Sequence, residues 1–411
     1  MLKVGFVGSG FVAKFHFKSF ISVPTARVTA VYSPSGRKDL VKLAQELGYP
    51  EPKVYTDLRK MLNKEDLDAL WILVPNYVRL NITKTLVEEV NQGKAKIKAV
   101  AYEKPLARNL KEARDIYKLV KKAGLLHGYL ENQVFAPSVI RGHDILWRRG
   151  AALTGRPYLS RAAEEHGGPH SPWFWNPILS GGGVLLDMGC HSIEACRFLL
   201  SKPGENYRDL KPVKVLGFTA TLKWHRKEYA KWLMKFAGVD YSVLPVEDYA
   251  RVIITYETSD GYCVVAESSN AWSFVGPGLR LTFELFGPEY YMAINTLQPE
   301  LFVFFSRNVK GKAGEDLVEK QMAEQGLMPA LPDEAFTYGY VYEDQEIAQA
   351  FANNTIPREN LEHAVEVMEL LMAAYKSAEL GKPVKLPDPS LIDYRPLPFR
   401  KGQEVLGQFT K

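Results

Sequence analysis

Residues 1–20 read MLKVGFVGSGFVAKFHFKSF, a short apolar run broken by two glycines and followed by a helix-like stretch. Lys3 to Val7 has the composition of a buried strand. The glycines come directly after it, and Val12 to Phe20 directly after them. In such a strand, turn and helix each small residue has a task. Gly8 makes the tight turn, Gly10 lets the backbone approach a pyrophosphate, and Ala13 is small enough for close packing. The helix start, with Phe11 and Val12, offers free N–H groups to the anion. This context turns a weak GxGxxA into a dinucleotide-binding reading, against the plainer alternative of a structural glycine turn.

Working outward, the next hundred residues alternate short apolar runs with amphipathic ones, the pattern of βαβ units on a parallel sheet. Strands are expected at Ala26 to Tyr32, Ala69 to Val74, Ala99 to Tyr102 and Leu126 to Tyr129. Helices are expected at Lys38 to Leu47, Leu80 to Gln92 and Leu110 to Ala123, where apolar residues recur three or four apart. From about residue 155 the pattern changes to alternating or β-branched segments: Val213 to Trp224, Ala250 to Glu257, Tyr262 to Ser268, Leu279 to Phe286 and Tyr290 to Ile294. These predict a largely antiparallel open sheet. Phe305 to Tyr340, rich in Gly, Pro and charge, reads as irregular surface chain. Glu359 to Leu380 reads as a helix stopped by Gly381 and Pro383. The expected organisation is an α/β chain with a Rossmann domain over 1–130 and a second α/β domain over 131–385. The helix 359–380 and the tail 386–411 are expected to pack back near the first domain.

Composition bounds the function. With 411 residues, 46% hydrophobic and 24% charged, the chain is long enough for two packed domains. Its formal charge of +5 is small and dispersed, so nucleic acid is not an implied partner. The cysteines, Cys190, Cys196 and Cys263, form no CxxC pair, which argues for reduced thiols and against zinc. The chain opens straight into a strand without a secretory pattern, and its apolar stretches are too short to cross a bilayer. The expectation is a cytoplasmic protein without a membrane partner.

Three further stretches carry chemistry. The second strand ends in Ser33-Pro34-Ser35-Gly36-Arg37-Lys38 rather than in an acid. Hydroxyls of Ser33 and Ser35 with the cations Arg37 and Lys38 suit a 2′-phosphate and favour NADP, although Arg37 and Lys38 equally suit the start of a solvated helix, and NAD stays open. Glu103-Lys104-Pro105 follows the strand Ala99 to Tyr102, at the sheet edge where ligands sit. There Lys104 can polarise a substrate oxygen, or simply form a surface ion pair. Gly181-Gly182-Gly183 leads to Asp187 and His191, four apart and so on one face of a helix. A carboxylate beside a histidine makes a proton donor and acceptor near neutral pH, while the alternatives are a capping Asp with a buried His, or an incomplete metal site.

Taken together these motifs resemble the Gfo/Idh/MocA family of oxidoreductases. The likeness runs through the glycine loop, Pro75-Asn76, the Glu103-Lys104-Pro105 segment, the Gly-rich run to Asp187 and His191, and the closing stretch from Ser377 to Val384. It implies a Rossmann domain followed by a domain whose open sheet faces the cofactor and joins subunits into a homo-oligomer, a dimer or tetramer. It implies bound NAD or NADP, with Pro75, Asn76, Glu103 and Lys104 beside the cofactor and a catalytic trio of Lys104, Asp187 and His191. Departures are Arg79, where relatives often carry His, and Glu131 to Pro137, where relatives often carry an aromatic-flanked Arg. An atypical carbohydrate substrate is therefore expected, held by Glu131, Asn132, Glu165, His166, His170, Trp173 and Trp175, whose rings and polar rims suit a sugar. The leading expectation is hydride transfer to or from a secondary carbinol of a sugar, polyol or glycoside. The alternative is a glycoside hydrolase that oxidises, eliminates and re-reduces with retained NAD, using Glu131, Glu165, His166 and His170 as extra acids and bases.

Overall fold

The computed structural model describes residues 1–298, 301–305, 326–331 and 333–409. Its contacts divide the chain into two compact units, Met1–Pro137 with Ala335–Met368, and Ser138–Glu334 with Glu369–Lys411. This differs from a single boundary at residue 130, because the chain returns to the first unit after residue 334.

The first unit is built on a parallel sheet of β1 (Leu2–Val7), β2 (Ala26–Tyr32), β3 (Lys53–Tyr55), β4 (Ala69–Ile72), β5 (Ala99–Glu103) and β6 (Leu126–Leu130), in the order β3-β2-β1-β4-β5-β6. Reversal of strand order at β1 and β4 opens a crevice at the carboxyl ends of the strands. The connecting helices are α1 (Phe11–Ser19), α2 (Asp39–Glu46), α3 (Leu58–Lys64), α4 (Asn76–Asn91) and α5 (Leu110–Lys122). Local chemistry sets their starts. Asp57 accepts from the Lys60 N–H and Asn109 from the Glu112 N–H, each capping its helix. Helix α5 then buries Leu110, Ala113, Ile116 and Val120, one stripe at helical spacing. The returning segment joins because Ile347 and Phe351 complete the core of Phe6, Phe17, Phe20 and Trp71, with the Trp71 and Phe351 rings 5.8 Å apart, edge to face.

The second unit holds a seven-stranded sheet of β7 (Leu159–Glu165), β8 (Leu210–Ala220), β9 (Tyr249–Thr258), β10 (Cys263–Ala271), β11 (Arg280–Gly287), β12 (Tyr290–Asn295) and β15 (Val384–Lys385), ordered β12-β11-β7-β10-β9-β8-β15. Only β7 and β10 run parallel; the other neighbours are antiparallel, as the alternating segments predict. One face of the sheet lies under the helix Gly189–Leu200, all of whose residues are buried. The opposite face leaves Leu216 and Phe218 exposed. A further pair, β13 (Leu301–Phe305) and β14 (Gly326–Ala330), is antiparallel. Most of the expected irregular stretch, residues 306–325, lies outside the described residues. Its end is regular after all, with β14 and the short helix Glu334–Thr337 leading to the helix Tyr340–Ala352. Among the described residues no helix is long and apolar enough to cross a membrane.

Candidate active site

The first unit gathers its predicted residues at the carboxyl edge of the sheet. Gly8 has φ +124°, and a Cβ there would meet the Leu73 carbonyl carbon at 2.9 Å, so only glycine makes this turn. Gly10 precedes α1 with no side chain bonded at the cap and no acid in the first turn, and no described atom lies within 4 Å of where its Cβ would stand. Exposed Phe11 and half-buried Val12 follow. The helix start is thus an open, donor-rich, positive end suited to a pyrophosphate. Beside it lies a cavity of about 530 Å³ whose walls include Tyr32, Pro34, Thr56, Val74, Val78 and Ile82, mostly apolar and able to take a flat base.

Ser33 is not available to a phosphate. It is buried, bonded to the Ser9 hydroxyl at 2.8 Å and to the Arg37 N–H at 3.2 Å, and so ties the β1 and β2 loops together. Ser35, Arg37 and Lys38 remain exposed at that loop.

Half-buried Lys104 follows β5, and Arg79 holds the main chain around it. Arg79 is buried, donates to the Val74 carbonyl at 2.9 Å and to the Lys104 carbonyl at 3.3 Å, and donates also to the carbonyls of Glu103 and Pro105. It clamps the main chain around Lys104. Pro75 and buried Asn76 open α4, which carries that arginine. Glu103 is buried and accepts from His16 Nε2 at 3.1 Å, while His16 Nδ1 stands 2.9 Å from Asp344 Oδ1. Burial opposes charge on His16, but Asp344 and then Glu103 outweigh it and lift the imidazole to about 9.

Glu131 and Asn132 are both buried. Glu103 pairs with Leu130 at the ends of β5 and β6, and Lys104 and Glu131 are the residues that follow them. Burial pushes the Glu131 carboxyl well above the usual carboxylate range, against the pull of Lys104. Asn132 gives its amide to the Tyr338 carbonyl at 2.8 Å, which accounts for its burial as a structural residue.

In the second unit the Gly181–Gly183 turn is held by Glu247, a residue no motif pointed to. Its Oε1 accepts from the Gly183 N–H at 2.9 Å, the Leu185 N–H at 3.1 Å and the Tyr375 hydroxyl at 2.5 Å. Burial raises this carboxyl to about 7 against those donors. A Cβ on Gly183 would meet the Glu247 carbonyl oxygen at 2.2 Å, so glycine is required here by contact. The turn leads to the short helix Val184–Asp187, which breaks at Met188 before Gly189–Leu200 begins. Asp187 and His191 therefore stand on two consecutive helices. Both are buried, and Asp187 Oδ2 accepts from Trp272 Nε1 at 3.2 Å.

The sugar-binding expectations divide. Trp175 is a core residue, its ring 5.1 Å from Trp272 and 4.9 Å from Trp224, so it supports Trp272 and presents no open face. Trp173 is half-buried and stacked on Phe174 at 3.8 Å. His166 is buried, and its Nδ1 accepts from the Gly168 N–H at 2.9 Å. His170 is exposed. Glu165 lies on the sheet face opposite to the helix of His191 and is paired with Arg280. These positions remove Glu165 as a free acid and leave His166 with one nitrogen committed.

Two family models match the chain, one described as an oxidoreductase family with an NAD-binding Rossmann fold over residues 2–129, the other as the GFO/IDH/MocA C-terminal domain over 151–289. The chain belongs to the Gfo/Idh/MocA family. Among its relatives are a levoglucosan dehydrogenase from Pseudarthrobacter phenanthrenivorans, 25% identical over 49% of this chain and 52% of that protein, and a D-glucoside 3-dehydrogenase from Escherichia coli, 26% identical over 49% and 55%. The chain thus spans about half the length of the curated relatives it matches. Among solved structures it is similar to GenD2 from gentamicin A biosynthesis in complex with NAD, with a TM-score of 0.73, 25% identity, and 94% of this chain and 97% of that one covered. The fold is shared with a levoglucosan dehydrogenase in complex with NADH, with a TM-score of 0.68, 20% identity, and 94% and 99% covered. For this Gfo/Idh/MocA chain the parallel sheet, its glycine turn and the second, mostly antiparallel sheet are the family's architecture.

Proposed function

We propose that the protein is a nicotinamide-dependent dehydrogenase or reductase acting on a secondary hydroxyl or ketone of a sugar, polyol or glycoside. One observation carries the reading: the open glycine turn after β1 and the clamped Lys104 after β5 share one edge of one parallel sheet. The residues fit a dinucleotide, with an uncapped, open helix start at α1 and a mostly apolar cavity on the same sheet edge. The bound nicotinamide supplies the two-electron acceptor or donor for the hydride. Lys104 polarises the substrate oxygen, His191 takes or returns its proton, and Asp187 orients the histidine. Exposed Ser35, Arg37 and Lys38 face the 2′ position and make NADP acceptable alongside NAD. The exposed face of the second sheet joins copies into a dimer or tetramer, and cysteines without disulfides suit a reducing cytoplasm.

The test is absorbance of reduced nicotinamide across a sugar and polyol panel. Lys104→Ala and His191→Ala are each expected to lower turnover by at least ~100-fold. Near-normal turnover in both overturns the trio, and aglycone release without reduced cofactor points to the hydrolytic route instead.

A further inference from the structure

Six carboxylates are buried in the first unit, Glu89, Glu103, Glu131, Glu343, Asp344 and Glu359, with buried His16 beside Glu103 and Asp344 and buried His363 beside Glu359. Burying a charge is costly unless it is paired, so the wiring is informative. His16 stands between two carboxylates. Its Nδ1 is 2.9 and 3.0 Å from the Asp344 oxygens, and its Nε2 is 3.1 Å from Glu103 Oε1. Asp344 also accepts from Trp71 Nε1 at 2.8 Å and from the Ser19 hydroxyl. The Tyr340 ring closes the side of the imidazole at 5.2 Å, edge to face. Glu343 Oε2 lies 4.0 Å from Nδ1, and both Glu343 oxygens are without a hydrogen-bond partner. Burial and the neighbouring carboxylates push that carboxyl well above its ordinary value.

His16, Glu343 and Asp344 lie close enough to share a cation. Yet the Asp344 oxygens are already met by N–H and O–H donors, which is wiring for an imidazolium and not for a metal ion. The outer end of the chain of contacts is Glu103. Its carboxyl would be raised by burial, but His16, then Lys104 and Arg79, hold it below its ordinary value. The residue after it is Lys104, whose main chain Arg79 grips from the other side.

We propose that His16 is a positioning residue for catalysis: held by Asp344, it keeps Glu103 a fixed anion beside Lys104 and so sets the charge and pose of the lysine. This rests on the reading of Lys104 given above. It also gives the returning helix Tyr340–Ala352 a role, since Asp344 reaches His16 across 328 residues of sequence.

The experiment follows Lys104 itself. Acetylation of Lys104 by acetic anhydride, read by peptide mass spectrometry between about pH 7 and 11, gives the pH at which the amine becomes reactive. It needs no turnover, so it stands or falls apart from the hydride-transfer assay. Glu103→Gln is expected to lower that pH by about one unit, because an anion next to the ammonium is lost. His16→Asn is expected to do the same, because Glu103 takes up a proton once its cation is gone. The double variant is expected to match Glu103→Gln alone. Should His16→Asn fail to fold, the double variant still decides, since it removes both partners together and leaves no buried orphan between them. Lys104 titrating in Glu103→Gln as in the parent, or a double variant shifted beyond Glu103→Gln, overturns the proposal.

Discussion

Gly8–Gly10 and Gly181–Gly183 are both glycine turns that feed a helix, and they use their glycines in opposite ways. At the first, the helix start is left open, with no described atom within 4 Å of a Cβ on Gly10. At the second, the amides of Gly183 and Leu185 are taken by the buried Glu247 carboxylate, and a Cβ on Gly183 would strike the Glu247 carbonyl. At the second turn the protein's own acid fills the amides ahead of Asp187; at the first the open, positive helix end is left to an anionic ligand.

The sharpest way to break this comparison is substitution by alanine. Gly183→Ala is expected to destabilise the protein by at least ~3 kcal/mol, on the scale of severe overpacking against main chain, read as a fall in urea midpoint. Gly10→Ala is expected to leave stability within ~0.5 kcal/mol. Its effect falls on the ligand instead, with dinucleotide binding weakened by about tenfold or more where backbone must approach a phosphate. Equal effects of the two on stability would erase the distinction.

The two regions should also separate along pH. Glu247 has an ordinary value of 4.5 and about 7 when folded, so the folded chain binds its proton more tightly. Stability is therefore expected to fall as pH rises from 4.5 to 7, by on the order of 3 kcal/mol, and Glu247→Gln should flatten that slope. His16 moves from 6.5 to about 9. Its contribution is present in full below 6.5 and is lost as pH rises through 9, a loss that His16→Asn should abolish. Urea melts across both windows check the pair, and slopes unchanged by both variants would contradict the assignment. The smallest effect is expected at Arg37: Arg37→Ala should weaken NADP a few-fold more than NAD in a fluorescence titration, as loss of one exposed phosphate contact implies.

Much of this was legible in the chain. Buried parallel strands announce themselves as short apolar runs, and the glycine turn, Lys104, Asp187 and His191 stand beside recognisable residues. β7 was missed because Leu159–Glu165 is rich in Ala and Glu, poor strand formers that persist only through pairing with β10 and β11 on either side. β3 was missed because it has three residues. The supporting carboxylates were invisible for a different reason. Asp344 and Glu247 act on His16 and Gly183 across hundreds or tens of residues, and nothing in local periodicity marks a buried acid as a partner. Ser33 reads as a ligand group in the sequence because exposed and inward-facing hydroxyls look alike until their partners are seen.

The central claim is that this chain moves a hydride between a sugar carbon and a nicotinamide. The most direct measurement supplies carbon-deuterated sugars and polyols with NAD and NADP and weighs the cofactor recovered. The account predicts reduced cofactor carrying one deuterium at C4, lost together with turnover in Lys104→Ala and His191→Ala. Cofactor that binds but is recovered oxidised and free of deuterium with every sugar would contradict it.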